Sequence, residues 1–282
     1  MSSGEIPVLI QELRNKVADI DLDLRSQSSL FVDLPAEWIE IVEALLILPS
    51  SGNEIIIDKF NVPFKHRDLL RLKPGAWLND EVINFYMKLC EEQEKALGRH
   101  DNLFMSTFFY AKLMDYGKGF NYANVKRWYR GIDIFNRRRI FIPINMAQHW
   151  SLVCIHLPSN EIQYVDSLKS NKKKDAIMKN IARWLKSELI FRNGDDSRVF
   201  TETTVTCPQQ KNCYDCGVFV LSFAELLSND LPLDMMSQSH CDGMRKTIAF
   251  WIVRGRLVST TLRFLSKNYL FYLGSCPGSL SR

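Results

Sequence analysis

Apolar residues recur at helical spacing over Ile6–Leu24 and again over Pro35–Leu48, where Trp38, Ile41, Val42, Leu45 and Leu46 fall on one side. Pro49-Ser50-Ser51-Gly52-Asn53 breaks that pattern. A domain boundary is placed there, so that residues 1–53 form a helical extension and residues 54–257 the main domain. Ile55-Ile56-Ile57 predicts a short strand and Phe64–Leu72 a short helix, closed by the turn Lys73-Pro74-Gly75. Glu81–Cys90 is amphipathic, with Val82, Ile83, Phe85, Tyr86 and Leu89 inward and Asn79 or Asp80 as its cap. Phe104–Lys112 and Val125–Tyr129 predict further helices, and Arg139–Ile144 is β-prone. His149–Leu157 and Ile162–Leu168 predict two strands of a hairpin turning through Pro158-Ser159-Asn160-Glu161. Ala176–Leu189 reads as a helix and Val199–Val205 as a strand. From Val218 to Leu227 the chain is apolar on nearly every side, the pattern of a buried helix. Met244–Leu257 forms a last amphipathic helix, and residues 258–282 read as a tail. The sum is α+β: helices packed around a small mixed or antiparallel sheet.

Composition changes this picture little. A hydrophobic share of 46% and a charged share of 24% are ordinary for a globular chain. The net charge of +4 hides an asymmetry, because residues 1–58 carry 3 basic and 11 acidic side chains. The basic excess gathers around Lys126–Arg139 and Lys169–Lys179, where it can meet an acidic partner or simply be solvated. The 7 cysteines are odd in number and lack framework spacing, and the N-terminus has no signal-peptide pattern; a reducing compartment is expected. No apolar run is long enough to span a membrane, since Ile248–Val258 is broken by Arg254 and Arg256.

The chemistry centres on Pro208–Gly217, a polar loop that delivers Cys216 to the start of the buried helix. Asp215 is a good N-cap residue, and a thiol at the first helical position meets free N–H groups and a helix dipole that favour the thiolate. The plain alternative is a small buried hydrophobe, the usual fate of a free cysteine. A thiol nucleophile needs a base, and the base an orienting group. Of five histidines, His149 stands at the entrance of the first hairpin strand, while His66 and His100 sit in charged, surface-like contexts. Asp166 falls opposite about Ser151–Val153, on His149's side of the strand, at an offset of about 7–13 Å that side chains and twist must close. Asp166 alone also reads as a turn-making acid. Gln210 can supply an N–H to an oxyanion beside the backbone N–H of Cys216. Cys213-Tyr214-Asp215-Cys216 also permits a redox pair, and Cys207, Cys213, Cys216 and His240 a zinc site, although no second paired knuckle is present.

Seven separated stretches then fall into one known order. They are Trp77-Leu78-Asn79-Asp80, Phe108-Phe109-Tyr110, Val125-Lys126-Arg127-Trp128, Ile142-Pro143-Ile144-Asn145, His149-Trp150-Ser151-Leu152, Tyr164-Val165-Asp166-Ser167-Leu168, and Cys207-Pro208-Gln209-Gln210 through Asp215-Cys216-Gly217, followed by the Met244-Arg245 helix. In these the chain resembles the SUMO-specific (sentrin-specific, ubiquitin-like-protein-processing) cysteine proteases, a papain-like family related to the adenoviral proteinase. The resemblance implies a papain-like fold, Cys216 as nucleophile, His149 as base and acid, Asp166 as its orienter and Gln210 as oxyanion donor. It implies that Trp77 and Trp150 form a tunnel around a Gly-Gly terminus, which only a residue without a side chain can thread. Core packing is the ordinary role for either indole. Asp80 resembles a position that contacts a basic residue on the modifier. The implied partners are SUMO and SUMO-conjugated proteins, with no obligatory nucleic acid, no membrane, no metal or cofactor, and a monomeric state. Nuclear or nuclear-envelope residence is implied too, with the cytoplasm as the other compartment. A Nedd-type modifier as substrate, or a non-catalytic SUMO-binding module, remain the rival readings. Cys213 departs from the glycine often found in relatives and places a second thiol near the nucleophile.

Overall fold

The computed structural model describes residues 5–19, 34–169, 173–194 and 197–257. Helices α1 (Glu5–Asp19) and α2 (Ala36–Ile47) precede a hairpin of β1 (Ile55–Lys59) and β2 (Val62–Lys65). The short α3 (His66–Leu69) runs into a 3-10 turn ending at Leu72, and the long α4 (Asp80–Ala96) follows. Next come β3 (Asn102–Phe104), α5 (Phe108–Leu113), β4 (Arg139–Met146), β5 (His149–His156) and β6 (Glu161–Val165). Helix α6 (Lys174–Asn193), strand β7 (Thr201–Thr204), α7 (Cys216–Ser228) and α8 (Cys241–Arg254) complete the chain as described.

The main sheet has five strands in the order β3-β4-β5-β6-β7. Its outer pairs are parallel and its two inner pairs antiparallel. Strand β5 lies at the centre, buried on both faces, and its alternation separates two cores. Trp150, Leu152 and Cys154 point to the layer of α4, α7 and α8, whereas Val153 and Ile155 point to α5 and α6. Helix α7 fits its composition: every residue except Leu227 is buried. A tyrosine hydroxyl fastens it to α4, Tyr86 Oη donating to Glu225 Oε2 at 2.5 Å. Burial pushes the Glu225 carboxyl up to about 7 despite that bond.

The architecture is the α+β arrangement expected, with particular differences. The boundary expected at residues 49–53 is a loop, but the helices before it are not detached. Ile6, Ile10, Trp38, Val42 and Leu45 share one core with α4, α7 and α8, and the Trp38 ring stacks on Phe250 at 4.9 Å. His66 is not a surface residue. It is fully buried, with Nε2 2.7 Å from the Leu45 carbonyl and Nδ1 on the Ser50 hydroxyl, and so ties α3 to the end of α2. Phe64 pairs with Ile57 in a strand rather than opening a helix. Phe104 is likewise a strand residue, because Asn102-Leu103-Phe104 pairs with β4 and the Phe104 ring stacks on Phe141 at 5.0 Å; α5 begins only at Phe108. Val125–Tyr129 forms turns, not a helix. Its spacing serves ring packing instead, with Trp128 and Tyr129 edge-on to Phe109. Helix α1 ends at Asp19, and the rest of its expected span and the expected tail lie outside the described residues.

Burial of Trp38 gives a direct check on the N-terminal packing. Trp38→Ala is expected to lower the unfolding free energy by about 3–5 kcal/mol, as for other buried aromatic truncations. Urea denaturation measures this, and an unchanged midpoint would mean that α2 contributes nothing to the core.

Candidate active site

Strand register brings the base to its orienting group. Leu152 pairs with Val165, so Asp166, one residue beyond β6, falls opposite Ser151 and two positions from His149. The gap closes: His149 Nε2 lies 2.7 Å from Asp166 Oδ1. His149 stands on the rim because β4 and β5 form a two-residue hairpin in which Ala147 and Gln148 both take positive φ, the geometry that matches strand twist. The carboxylate is itself held. Tyr164 Oη donates to Oδ2 at 2.9 Å and the Leu168 N–H to Oδ1 at 2.9 Å.

Cys216 is the first residue of α7 and only 3% exposed. His149 is its titratable neighbour: the ring feels both the Cys216 thiol and the Asp166 carboxylate. Burial pulls the ring's pKa down, but the hydrogen bonds and charges of Asp166 and Cys216 outweigh burial and raise it from 6.5 to about 9. Burial pushes Cys154 up to about 12 and Cys207 up to about 11, and raises Cys90 well above the usual thiol range.

Gln210 is buried and bonded to Ser167, the residue after Asp166. Its Oε1 accepts from Ser167 Oγ at 2.6 Å, its backbone N–H donates to the Ser167 carbonyl, and Nε2 donates to the Asn212 carbonyl at 2.6 Å. The Ser167 hydroxyl fixes the orientation of the amide. One Nε2 hydrogen is used by Asn212, and the amide carries a second. The Cys216 N–H, at the start of a helix, has no intrahelical acceptor.

The capping expected of Asp215 does not occur. Its side chain makes no bond to the helix N–H groups. A competing partner takes it: Arg245, 1% exposed, reaches Asp215 Oδ1 through Nε at 3.0 Å and Nη2 at 2.7 Å. Asn212 Nδ2 and Gln238 Nε2 donate to the other oxygen, each at 2.7 Å. At α4 the choice between two caps is decided for Asn79, whose side chain accepts from the Val82 N–H at 3.2 Å, so Asp80 lies half-buried in the first turn without the capping role.

The two indoles differ. Trp150 is buried and donates Nε1–H to the Leu78 carbonyl at 2.9 Å. Trp77, the residue before Leu78, is 42% exposed. The segment bearing Trp77 is thus bound to the wall bearing Trp150. Leu78 also packs on Gly217, where a Cβ would come within 2.8 Å of the Leu78 Cβ. Arg245, Ser167, Tyr164 and Gly217 are the supporting residues that pattern reading gave no role. All four lie in the stretches that carry the family resemblance, which drew attention to those segments without giving these residues a role. Of the CxxC pair, Cys213 is exposed and Cys216 buried. Among the described residues no group of three or more His, Cys, Asp or Glu side chains is placed to hold a metal ion.

Comparison with known proteins follows the same residues. The family model described as the Ulp1 protease family, C-terminal catalytic domain, matches residues 76–255. Ubiquitin-like-specific protease 1A of Arabidopsis thaliana is 35% identical over 219 residues, covering 73% of this chain and 43% of that protein. Sentrin-specific protease 2 of Homo sapiens is 34% identical over 211 residues, covering 73% of this chain and 35% of that protein. The chain therefore matches less than half the length of these curated relatives. Among solved structures, the C-terminal Ulp1 protease domain in complex with Smt3, the yeast ortholog of SUMO, superposes with a TM-score of 0.70 at 32% identity, covering 80% of this chain and 98% of that one. The expected papain-like α+β fold is the one observed.

The raised pKa of His149 fixes a sign and a pH window. Its stabilising contribution is complete below about pH 6.5, the unfolded value, and is lost as pH rises through about 9. In an NMR titration of the histidine rings, His149 is expected to lose its proton near pH 9. In Asp166→Ala, burial acts against less opposition and the midpoint falls toward 6.5 or below. A wild-type midpoint at or below 6.5 would contradict the geometry.

Proposed function

The chain belongs to the Ulp1 protease family, and we propose that it is a thiol protease and isopeptidase that cleaves after the C-terminal Gly-Gly of SUMO, both in the precursor and in conjugates to substrate lysines. The observation that carries this reading is the His149 ring set between Asp166 and Cys216. The likeness to a protease domain solved in complex with Smt3 supports the choice of modifier.

Each residue then has a step. The His149 ring, whose raised pKa keeps it protonated at neutral pH, holds the proton given up by Cys216, and the freed sulfur attacks the carbonyl carbon of the terminal glycine. The carbonyl electrons move to oxygen, where the second N–H of Gln210 and the Cys216 backbone N–H receive the charge. Loss of one such donor typically costs ~100–1000-fold in rate. His149 returns the proton to the departing amine, either a backbone nitrogen or a lysine Nζ, and leaves a thioester on Cys216. Water, deprotonated by His149, opens the thioester and releases the free glycine carboxylate and the thiol. Asp166 holds the ring's tautomer and stabilises the imidazolium throughout. Trp77 and Trp150 flank the entering glycines, and Asp80 faces the modifier's basic surface.

The test is covalent capture. SUMO, a Nedd-type modifier and ubiquitin, each carrying a C-terminal vinyl electrophile, are incubated with wild type and Cys216→Ser. An adduct with SUMO alone, lost in the variant, is expected. Capture of the Nedd-type probe in preference to SUMO would reassign the substrate. Binding of SUMO without capture or turnover would replace the enzyme reading by that of a binding module.

A further inference from the structure

Trp77 is half-exposed, so its own packing does little to fix it. Its two neighbours are both anchored. The Leu78 carbonyl is held by the Trp150 indole, and the Leu78 side chain lies against Gly217, next to the nucleophile. On the other side, the Ala76 carbonyl accepts from Arg245 Nη2 at 2.8 Å. The same guanidinium donates to the Tyr214 carbonyl at 3.1 Å and is paired with Asp215, the residue before Cys216. Its Nη1 holds the Arg71 and Lys73 carbonyls at 3.2 and 3.1 Å. One planar group thus spans the loop that ends at Trp77 and the loop that ends at Cys216. A guanidinium has five N–H donors fixed in one fork, whereas a lysine ammonium is a single point with three.

We propose that Arg245 is a positioning residue that sets the placement of Trp77 relative to Cys216, and through it the restriction of the channel to glycine; the proposal rests on the protease reading above. Ala76 and Tyr214 cannot move apart without breaking bonds to one rigid group. Loosening that group lets Trp77 drift from the wall that Trp150 fixes. Glycine would then lose close contact, and alanine would lose the clash that excludes it. Arg245 reaches neither thiol nor imidazole; it acts through Trp77 and the 214–215 backbone.

The experiment uses the full chain with Arg245→Lys, which keeps the buried positive charge, and Trp38→Leu as a destabilised control remote from the site. Active enzyme is counted by alkylation of Cys216. Kinetics are then measured per active site on SUMO precursors ending in Gly-Gly and on precursors with alanine at the penultimate position. In Arg245→Lys, kcat/KM on Gly-Gly is expected to fall about 100-fold, the typical effect of a misplacement near 1 Å. The Gly-over-Ala preference should shrink at least about tenfold relative to wild type, since glycine discrimination is steric. Trp38→Leu should lower Tm but leave the preference unchanged. An Arg245→Lys variant that loses stability yet keeps the wild-type preference and KM would overturn the proposal and reduce Arg245 to a structural residue. Should Arg245→Lys fail to fold, Asp215→Asn with Arg245 intact reads the same ratio, because it loosens the fork from the opposite side. If wild type cleaves neither precursor, the protease reading fails by itself. Arg245 is then judged by the iodoacetamide alkylation rate of Cys216: a change of about tenfold or more in Arg245→Lys supports positioning, and an unchanged rate overturns it.

Discussion

A buried ion pair, Arg245 with Asp215, is the constraint on which the active-site end of the molecule depends. Both side chains are almost wholly removed from water, at 1% and 2% exposure. Desolvating two charges costs several kcal/mol per ion, and such a pair is tolerable only when every remaining hydrogen-bonding position is filled. Here they are filled. Four backbone carbonyls share the three guanidinium hydrogens that Asp215 does not take, and two amides serve the second carboxylate oxygen. Burial would raise the Asp215 carboxyl, but its bonds to Asn212, Arg245 and Gln238 hold it below the usual carboxylate range. The pair's contribution is therefore present above the ordinary aspartate pKa and is lost only as pH falls through the depressed value. Truncating one partner of such a pair typically costs ~3–5 kcal/mol, because the other charge stays buried without compensation.

Around that anchor the proposed catalytic groups arrive from separate elements, each set by a different physical cause. The β5–β6 register places His149 and Asp166 within hydrogen-bond reach. The apolar surface of α7 is driven into the core and carries Cys216 with it, aimed by a helix that has no freedom to rotate. Ser167 and the 210–212 turn hold Gln210. Trp150 belongs to the sheet's core face, and its indole N–H ties that face to the segment bearing Trp77. The chemistry needs all of these at once, which explains why the site lies where sheet, α7 and loops converge.

Much of this was legible in the sequence. Cys216 at a helix start, His149 at a strand entrance and Asp166 across a hairpin followed from turn residues and two-residue alternation, and the structure joins the three. Less legible were features decided by tertiary competition. Asp215 has the composition of a cap, but a distant arginine outbids the local N–H groups for its oxygens. The β4–β5 turn uses Ala147 and Gln148 at positive φ, without the glycine or asparagine that would mark it. Phe104 and Val125–Tyr129 carry helix-like spacing that ring packing and strand pairing override. The N-terminal helices looked separable because their acidic charge and the break at residues 49–53 are local features, while the Trp38–Phe250 stack joins residues more than two hundred positions apart.

The measurement that bears most directly on this account is a crystal structure of the chain trapped with a SUMO-derived C-terminal electrophile. A bond from Cys216 Sγ to the former terminal carbon is expected. Also expected are the Gly-Gly backbone between the Trp77 and Trp150 indoles, the Gln210 amide directed at the position of the carbonyl oxygen, and Arg245 still bonded to Ala76, Tyr214 and Asp215. Attachment at Cys213, or glycines lying outside the two indoles with the Arg245 bonds broken, would contradict that arrangement.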